Sequence, residues 1–304
     1  MSKYLNHPDH VLPETKEKIE SAIAELNYTP SVIARSLRTK KTGIVVVVME
    51  SITNPFFGEV FDILRCYLEK YGYKAMLHTI SDYEFKTTDF SFADGIIICY
   101  PNNDDIITSV SSVTGMIPKV IMHGHAVEQD IESVVFDVGL GSHMAAEHLY
   151  NQGCRNFVIV GGEKQSSMSI EKTAAIREFL AAVEDSITCR EIHGVNHFSG
   201  GILAAEKIHK ELTDADAVLC ESDALATGVI SRLLGLGYHI PNDIKVVGYD
   251  NVPIAQMYHP SVTTVAIPTD EMSRTAANMI TRLIEGKSVV RKTFEPVLMV
   301  RETG

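Results

Sequence analysis

The chain reads Ile44-Val45-Val46-Val47-Val48-Met49 directly after a Thr42-Gly43 pair. This run is apolar without interruption, which predicts a β-strand that is buried on both faces. Strands of this kind occur in parallel sheets that carry helices on either side. The run therefore predicts an α/β fold, and it separates a short N-terminal piece from a long remainder.

Strands and amphipathic helices alternate downstream of this run. After the first strand, a helix is predicted to begin at Pro55 with Asn54 as its N-cap, and to stop at Gly72. Two series of strands follow, at 75–78, 95–99, 120–122 and 134–136, and then at 157–160, 187–193, 217–220 and 245–248. Further helices are predicted near 139–151, 168–184, 200–212 and 223–236. Two such series predict two doubly wound parallel sheets, and hence two lobes. A last helix near 270–285 and a strand at 297–300 are expected to cross back to the first lobe.

The stretch upstream, residues 29–42, predicts a short basic helix. Thr29 is a suitable N-cap and Pro30 a suitable first residue, and Ile33 and Leu37 fall on one face. The basic residues around that face are Arg35, Arg38, Lys40 and Lys41. An exposed apolar side chain among cations suits a DNA minor groove, where it can unstack a base step. The alternative is a basic interdomain linker, and the residue types alone favour that alternative.

Residues 13–26 predict one amphipathic helix in the N-terminal piece. Ile19, Ala22, Ile23 and Leu26 give the spacing of a buried stripe. One helix cannot bury such a stripe by itself, so this helix needs partner elements.

Composition limits the class of protein. The chain has 304 residues, of which 45% are hydrophobic, which suits a globular protein of two domains. It shows neither an apolar run that spans a bilayer nor a signal-peptide pattern. Five scattered cysteines without a CxxC pair argue against a disulfide framework or a structural zinc site. These features predict a cytoplasmic protein with reduced cysteines and no membrane partner.

The charge is distributed unevenly. The net charge is −12, and residues 1–42 contain seven Lys/Arg against five Asp/Glu, a net of +2 that leaves −14 on the rest. A slightly basic end on an acidic body is expected if only that end meets DNA.

Six motifs follow one another along the chain: Ala34-Arg35-Ser36-Leu37-Arg38, Asn54-Pro55-Phe56-Phe57, Val135-Phe136-Asp137, Glu221-Ser222-Asp223, Val246-Val247-Gly248-Tyr249-Asp250-Asn251 and Pro260-Ser261-Val262-Thr263-Thr264-Val265. In this order they resemble the lactose repressor family of transcription regulators (LacI/GalR). The resemblance implies two periplasmic-binding-protein-like lobes preceded by a partial helix-turn-helix headpiece. The implied domains are a headpiece over 1–28, a hinge helix and linker over 29–42, and an effector-binding core over 43–304. Within the core, the N-lobe takes about 43–138 plus 268–304, and the C-lobe about 139–267.

The resemblance also assigns residues to DNA. Leu37 is implied as the intercalating wedge, with Ala34 and Arg38 in the minor groove. The further DNA-binding candidates are Ser2, Lys3, Tyr4, Asn6 and Tyr28. The first residues of the chain match only the C-terminal part of the family's recognition helix and the elements after it. We therefore expect the native start to lie upstream, since the family commonly has Val-Ser where this chain has Met1-Ser2; deliberate truncation is the alternative.

Ligand-binding candidates come from the strand ends, because twin doubly wound lobes hold ligands beyond the carboxyl ends of their strands. A polar residue there is more often a turn or a helix cap. With the resemblance, the effector-binding candidates are Phe56, Phe57, Tyr100, His123, Asp137, Lys172, Ser222, Asp223 and Asp250. Lys172 stands where many sugar-binding members have an arginine, and a lysine cannot make the two-pronged bond of that arginine. Two other departures are Val138, where the family usually has Asn, and a shortened segment over residues 81–93.

An enzyme is not predicted. The sequence has neither a GxSxG elbow nor a GxxxxGK[ST] loop. His123 and His125 are the best metal-ligand pair, but spacing supplies no further ligands, so neither a metal nor a cofactor is predicted. The predicted function is a ligand-responsive regulator, a repressor, that binds a pseudo-palindromic operator as a homodimer. Its effector is expected between the lobes and is a sugar or sugar derivative. The alternative is a solute-binding protein for sugar uptake with the same two lobes.

Overall fold

The computed structural model describes residues 11–25, 41–80, 85–101, 104–122, 131–183 and 186–304. The chain divides into two compact units, Met1–Gly43 and Ile44–Gly304. In the first unit, helix α1 (Pro13–Glu25) lies where the sequence predicts a helix over 13–26. The hinge residues 29–40 lie outside the described residues, as do all the DNA-binding candidates, so those assignments stay predictions.

The second unit alternates strands and helices. Its first part contains β1 (Ile44–Met49), α2 (Pro55–Lys70), β2 (Lys74–Thr79), α3 (Thr87–Phe90), β3 (Gly95–Cys99), α4 (Asp104–Thr114), β4 (Lys119–Met122), β5 (Glu132–Phe136) and α5 (Val138–Asn151). Its second part contains β6 (Asn156–Gly161), α6 (Ser167–Val183), β7 (Thr188–His193), α7 (Phe198–Glu211), β8 (Ala217–Cys220), α8 (Asp223–Gly235), β9 (Lys245–Asp250), α9 (Pro253–Met257), β10 (Thr263–Ala266), α10 (Thr269–Ile284), β11 (Lys292–Phe294) and β12 (Val297–Met299). These elements form two six-stranded sheets, which confirms the predicted α/β class and its two lobes.

The first lobe is built on the sheet β11-β5-β4-β3-β1-β2, in which the described strand pairs are all parallel. Strand β1 is buried on both faces, as predicted. Val45 and Val47 join a cluster with Leu64 of α2 and Ile280 of α10. Val46 and Val48 face the opposite cluster, which includes Phe90 and Ile106. Burial on both faces explains why the run has no polar position.

The second lobe is built on the sheet β12-β10-β9-β8-β6-β7. Strands β6 to β10 pair in parallel, and β12 pairs antiparallel with β10. Helices α7 and α8 pack on one face at a contact between Gly201 and Gly228. A Cβ atom at Gly201 would lie 3.0 Å from the Cα of Gly228, so the two main chains approach closely.

The C-terminal strand differs from its prediction. Residues 297–300 were expected to return to the first lobe, but β12 adds to the sheet of the second lobe. Beyond it, Thr303 donates a hydrogen bond to the main-chain oxygen of Val246 at 2.7 Å. The first lobe keeps α10 and β11, so within the described residues the chain passes between the lobes three times, after β5, after β10 and between β11 and β12. The third crossing was missed because β11, which no pattern predicted, has only three residues, too few to show a period.

Candidate functional site

A cavity of about 290 Å³ lies between the two lobes. Its lining residues from the first lobe lie at or after the ends of β1 and β3, and the others lie at or after the ends of β6 to β10. They therefore come from the carboxyl ends of parallel strands. The lining residues are Glu50, Ser51, Thr53, Asn54, Phe56, Phe57, Tyr100, Gly162, Glu163, Ser166, Met168, Lys172, Val195, Asn196, Glu221, Asp250 and Ile267. The volume is at the small end of the roughly 300–1,000 Å³ of known ligand cavities.

Three aromatic rings form one wall of the cavity. Helix α2 begins with Pro55 at its first position, and the side chain of Asn54 accepts a hydrogen bond from the amide of Phe56 at 3.1 Å. This cap fixes the direction in which α2 leaves β1 and so places Phe56 and Phe57 at the cavity. The ring of Tyr100 packs edge-on against both, with centroids 4.7 and 5.5 Å away. The wall offers ring faces and edges to a ligand.

Lys172 of α6 lies opposite, in the second lobe. Its side chain is buried, its ammonium donates to the main-chain oxygen of Glu221 at 2.8 Å, and it lies 3.6 Å from the centroid of the Tyr249 ring. Burial lowers the pKa of Lys172, while the nearby carboxylates of Asp250 and Glu221 act in the opposite direction.

The carboxylate of Glu221 is held by two neutral donors. The hydroxyl of Ser169, one turn before Lys172 on α6, donates to it at 2.5 Å, and the amide of Gly162 donates at 3.0 Å. A Cβ atom at Gly161 would lie 2.5 Å from a Glu221 carboxylate oxygen. The Gly161-Gly162 pair therefore leaves room for this buried acid at the end of β6.

Asp250 ends β9 in an unusual backbone conformation. Its φ is 109° and that of Asn251 is 61°, values that non-glycine residues rarely adopt. Arg301 from the C-terminal tail stabilises this turn, donating to the Asn251 side chain at 2.5 Å and to the main-chain oxygen of Val262 at 2.7 Å. Burial raises the pKa of Asp250 well above its ordinary value, and the charge of Lys172 only partly offsets this.

Asp223 lies beneath the same turn rather than in the cavity. It is fully buried at the start of α8 and accepts a hydrogen bond from the amide of Val252 at 2.9 Å. Gly248 permits this approach, because a Cβ atom there would overlap the Asp223 carboxylate. Burial raises the pKa of Asp223 to about 7, against the lowering effect of Thr264 and of the amides of Val252 and Asn251.

This shift gives a prediction for stability against pH. The folded state holds the Asp223 proton up to about pH 7, while the unfolded chain loses it near pH 3.8. Between those values the folded state binds more protons, so this group makes stability fall as pH rises, by up to about 1.4 kcal/mol per pH unit. Asp223→Asn should flatten the slope of unfolding free energy against pH in urea titrations. Parallel slopes for the two proteins would contradict the assignment.

The structure separates the sequence-predicted ligand residues into three groups. Phe56, Phe57, Tyr100, Lys172 and Asp250 line the cavity. Asp137, Ser222 and Asp223 are not among its lining residues. His123 lies outside the described residues.

Asp137 and Ser222 act as helix caps. Asp137 is exposed at the first crossing between the lobes and accepts from the amide of Leu140 at 2.8 Å. Ser222 accepts from the amide of Leu225 at 3.2 Å, and its hydroxyl donates at 2.5 Å to Asn196, which does line the cavity. Ser222 thus orients a lining side chain.

Sequence reasoning missed several lining residues. Asn196 and Glu163 closely follow β7 and β6. They would have been predicted if the residues after every strand had been considered, because ligands bind beyond the carboxyl ends of parallel strands. Glu221 belongs to a motif from which only its neighbours Ser222 and Asp223 were predicted to bind ligand. No sequence signal distinguishes it from those neighbours, because only the loop path decides which of three consecutive side chains faces the cavity.

Two protein-family models match the chain. Residues 146–303 match the periplasmic binding protein-like domain, and residues 1–31 match the model of bacterial regulatory proteins, lacI family. The chain belongs to the lacI family. The HTH-type transcriptional repressor PurR of Vibrio vulnificus (strain CMCP6) is 29% identical over 100% of this chain and 93% of its own length. The match confirms the predicted family and identifies the chain as a transcriptional repressor of a non-enzymatic family.

Two solved structures of transcription regulators agree with the fold. The transcriptional regulator CelR in its cellobiose complex is 26% identical, with a TM-score of 0.77 over 100% of this chain and 94% of that one. The Lac repressor bound to ONPG has a TM-score of 0.88 over 100% of this chain and 94% of that one, at 22% identity. The described part of the chain contains no helix long and apolar enough to span a membrane.

Proposed function

We propose that this repressor binds a small polar effector, a sugar or sugar derivative, in the cavity between its lobes. The observation that carries the proposal is that one cavity is lined by strand ends of both lobes. A ligand that contacts both lobes binds most tightly at one angle between them, so it shifts the population toward that angle. Support also comes from the 26% identical CelR, whose structure is a cellobiose complex.

The DNA side of the proposal rests on the N-terminal motif. A homodimer places a headpiece on each half of a pseudo-palindromic operator, and the paired hinge segments enter the minor groove between them. The residues proposed to contact DNA are Ser2, Lys3, Tyr4, Asn6, Tyr28, Ala34, Leu37 and Arg38. A change in lobe angle alters the spacing of the hinge segments, and the coupling is reciprocal, so operator DNA shifts effector affinity by the same factor.

The effector side is assigned to the lining residues. The aromatic wall of Phe56, Phe57 and Tyr100 packs on the ligand ring, while Lys172 and Asp250 supply a donor and an acceptor from the second lobe. The ligand thereby bridges the lobes.

A thermal-shift screen against sugars, sugar phosphates, polyols and nucleosides tests this assignment. A ligand present at 100 times its Kd should stabilise the protein by about 2.7 kcal/mol. Asp250→Ala should abolish that shift, because it removes an acceptor from the cavity. Asp137→Ala is the control: loss of its cap should lower the midpoint by the equivalent of about 1 kcal/mol but preserve the ligand shift. Loss of the ligand shift in Asp137→Ala alone would contradict the assignment.

A further inference from the structure

Acidic residues outnumber basic ones among the described lining residues of the cavity. Four acidic residues line it, Glu50, Glu163, Glu221 and Asp250. Among the described lining residues, Lys172 is the single lysine or arginine. The parts of residues 44–304 that the structure does not describe, 81–84, 102–103, 123–130 and 184–185, contain no lysine or arginine in their sequence.

Lys172 does not neutralise these acids by direct contact. Its ammonium donates to the main-chain oxygen of Glu221, whereas the Glu221 carboxylate is bonded by the neutral donors Ser169 and Gly162. No hydrogen bond joins the Asp250 carboxylate to another described residue. Two carboxylates with spare acceptor capacity therefore belong to the second-lobe side of the cavity.

The first-lobe side is also suited to positive charge. The faces of aromatic rings attract cations, and Phe56, Phe57 and Tyr100 form that wall. Glu59 of α2 lies close enough to act on the charge of Asp250, and burial raises the pKa of both carboxyl groups. Burial therefore disfavours the ionised form of Asp250, and a cation bound beside it would favour that form.

We propose that the effector is a small organic cation, a polyhydroxylated or open-chain amine, whose ammonium binds between the aromatic wall and the carboxylates of Glu221 and Asp250. This inference rests on the proposed effector site and narrows its ligand class to protonated amines, such as an amino sugar or a diamine. A metal ion fits less well, because the described residues contain no group of three or more His, Cys, Asp or Glu that could hold one. An anionic sugar phosphate would meet net repulsion.

The test is calorimetric titration with matched pairs at about pH 6.5, where such amines are protonated. D-glucosamine is compared with D-glucose, and 1,4-diaminobutane with 1,4-butanediol, which separates the amino sugar from the open-chain amine. D-glucose 6-phosphate is included to test whether an anionic sugar binds. At least one amine should bind roughly tenfold or more tightly than its neutral partner, since charge-assisted hydrogen bonds are about twice as strong as neutral ones.

Two variants test whether the ammonium group binds at the carboxylates of Glu221 and Asp250. Glu221→Gln and Asp250→Asn should each weaken amine binding by about tenfold and change binding of the neutral partner little, because they remove charge and keep the side-chain shape. Glu178→Gln, at an exposed position of α6, should leave both affinities unchanged.

The outcomes distinguish this inference from the proposed function. If D-glucose, 1,4-butanediol or D-glucose 6-phosphate binds as tightly as the amines, the preference for a cationic effector is refuted. The proposal that the cavity binds an effector is then still supported. If none of the five compounds binds at millimolar concentration, the result counts against both. Amine binding that survives Asp250→Asn and Glu221→Gln would also refute the placement.

Discussion

Gly228→Ala should destabilise the second lobe by about 3 kcal/mol, the upper end of the range for overpacked cores. A Cβ atom at Gly228 would overlap the main-chain oxygen of Phe198 and lie 3.1 Å from the Cα of Gly201. Main-chain atoms cannot move aside as a flexible side chain does, so α7 and α8 must separate. Their separation would open the cluster of buried residues that includes Ala205 and Val229. Urea unfolding followed by circular dichroism measures the loss.

Gly235→Ala provides the matched control on the same helix. A Cβ atom at Gly235 would meet nothing within 4 Å, and the residue is exposed at the end of α8. Alanine is the better helix former by up to about 1 kcal/mol, so this variant should be as stable as the parent or more so. Equal stability of Gly228→Ala and Gly235→Ala would show that the helices are not packed through their glycines.

Leu37→Ala should weaken operator binding by roughly 10-fold to 100-fold, or about 1.4–2.8 kcal/mol, and leave effector affinity nearly unchanged. The reason is that an apolar wedge stabilises the unstacked base step that lets the hinge segments remain in the minor groove. Fluorescence anisotropy with an operator fragment measures the first quantity and calorimetry the second.

Lys40→Ala distinguishes the effect of the apolar Leu37 side chain from the effect of losing a positive charge. Loss of a phosphate contact should weaken binding about equally for operator and unrelated DNA, and reduce the salt slope by about 1. Leu37→Ala should instead affect the operator far more than unrelated DNA and keep the salt slope. An equal loss of operator and effector binding in Leu37→Ala would refute the wedge.

The amino-acid sequence determined the family and the class of fold. Residues 44–49 predicted a strand buried on both faces because each of its side chains had to meet an apolar layer, and the clusters on both sides of β1 confirm this. Long helices were predicted to within a few residues for the same reason, since burial of one face repeats every three to four residues. The position of Phe56 and Phe57 at the cavity could also be predicted from the sequence, because Asn54-Pro55 marks the start of a helix directly after β1.

The tertiary structure alone decided which polar residues face the cavity. Asp137, Ser222 and Asp223 all lie close to strand ends, as Asp250 does. Asp137 and Ser222 nevertheless cap helices, and Asp223 is buried beneath the 250–252 turn. Only the turn, with its positive φ angles and its support from Arg301, brings the Asp250 side chain to the cavity. Strand β10 and the third crossing were equally hidden, because short strands gain their stability from partners far along the chain. The local pattern of apolar and polar residues indicates which faces of a segment are buried. The direction of a side chain at a strand end depends instead on contacts between residues that are distant in sequence.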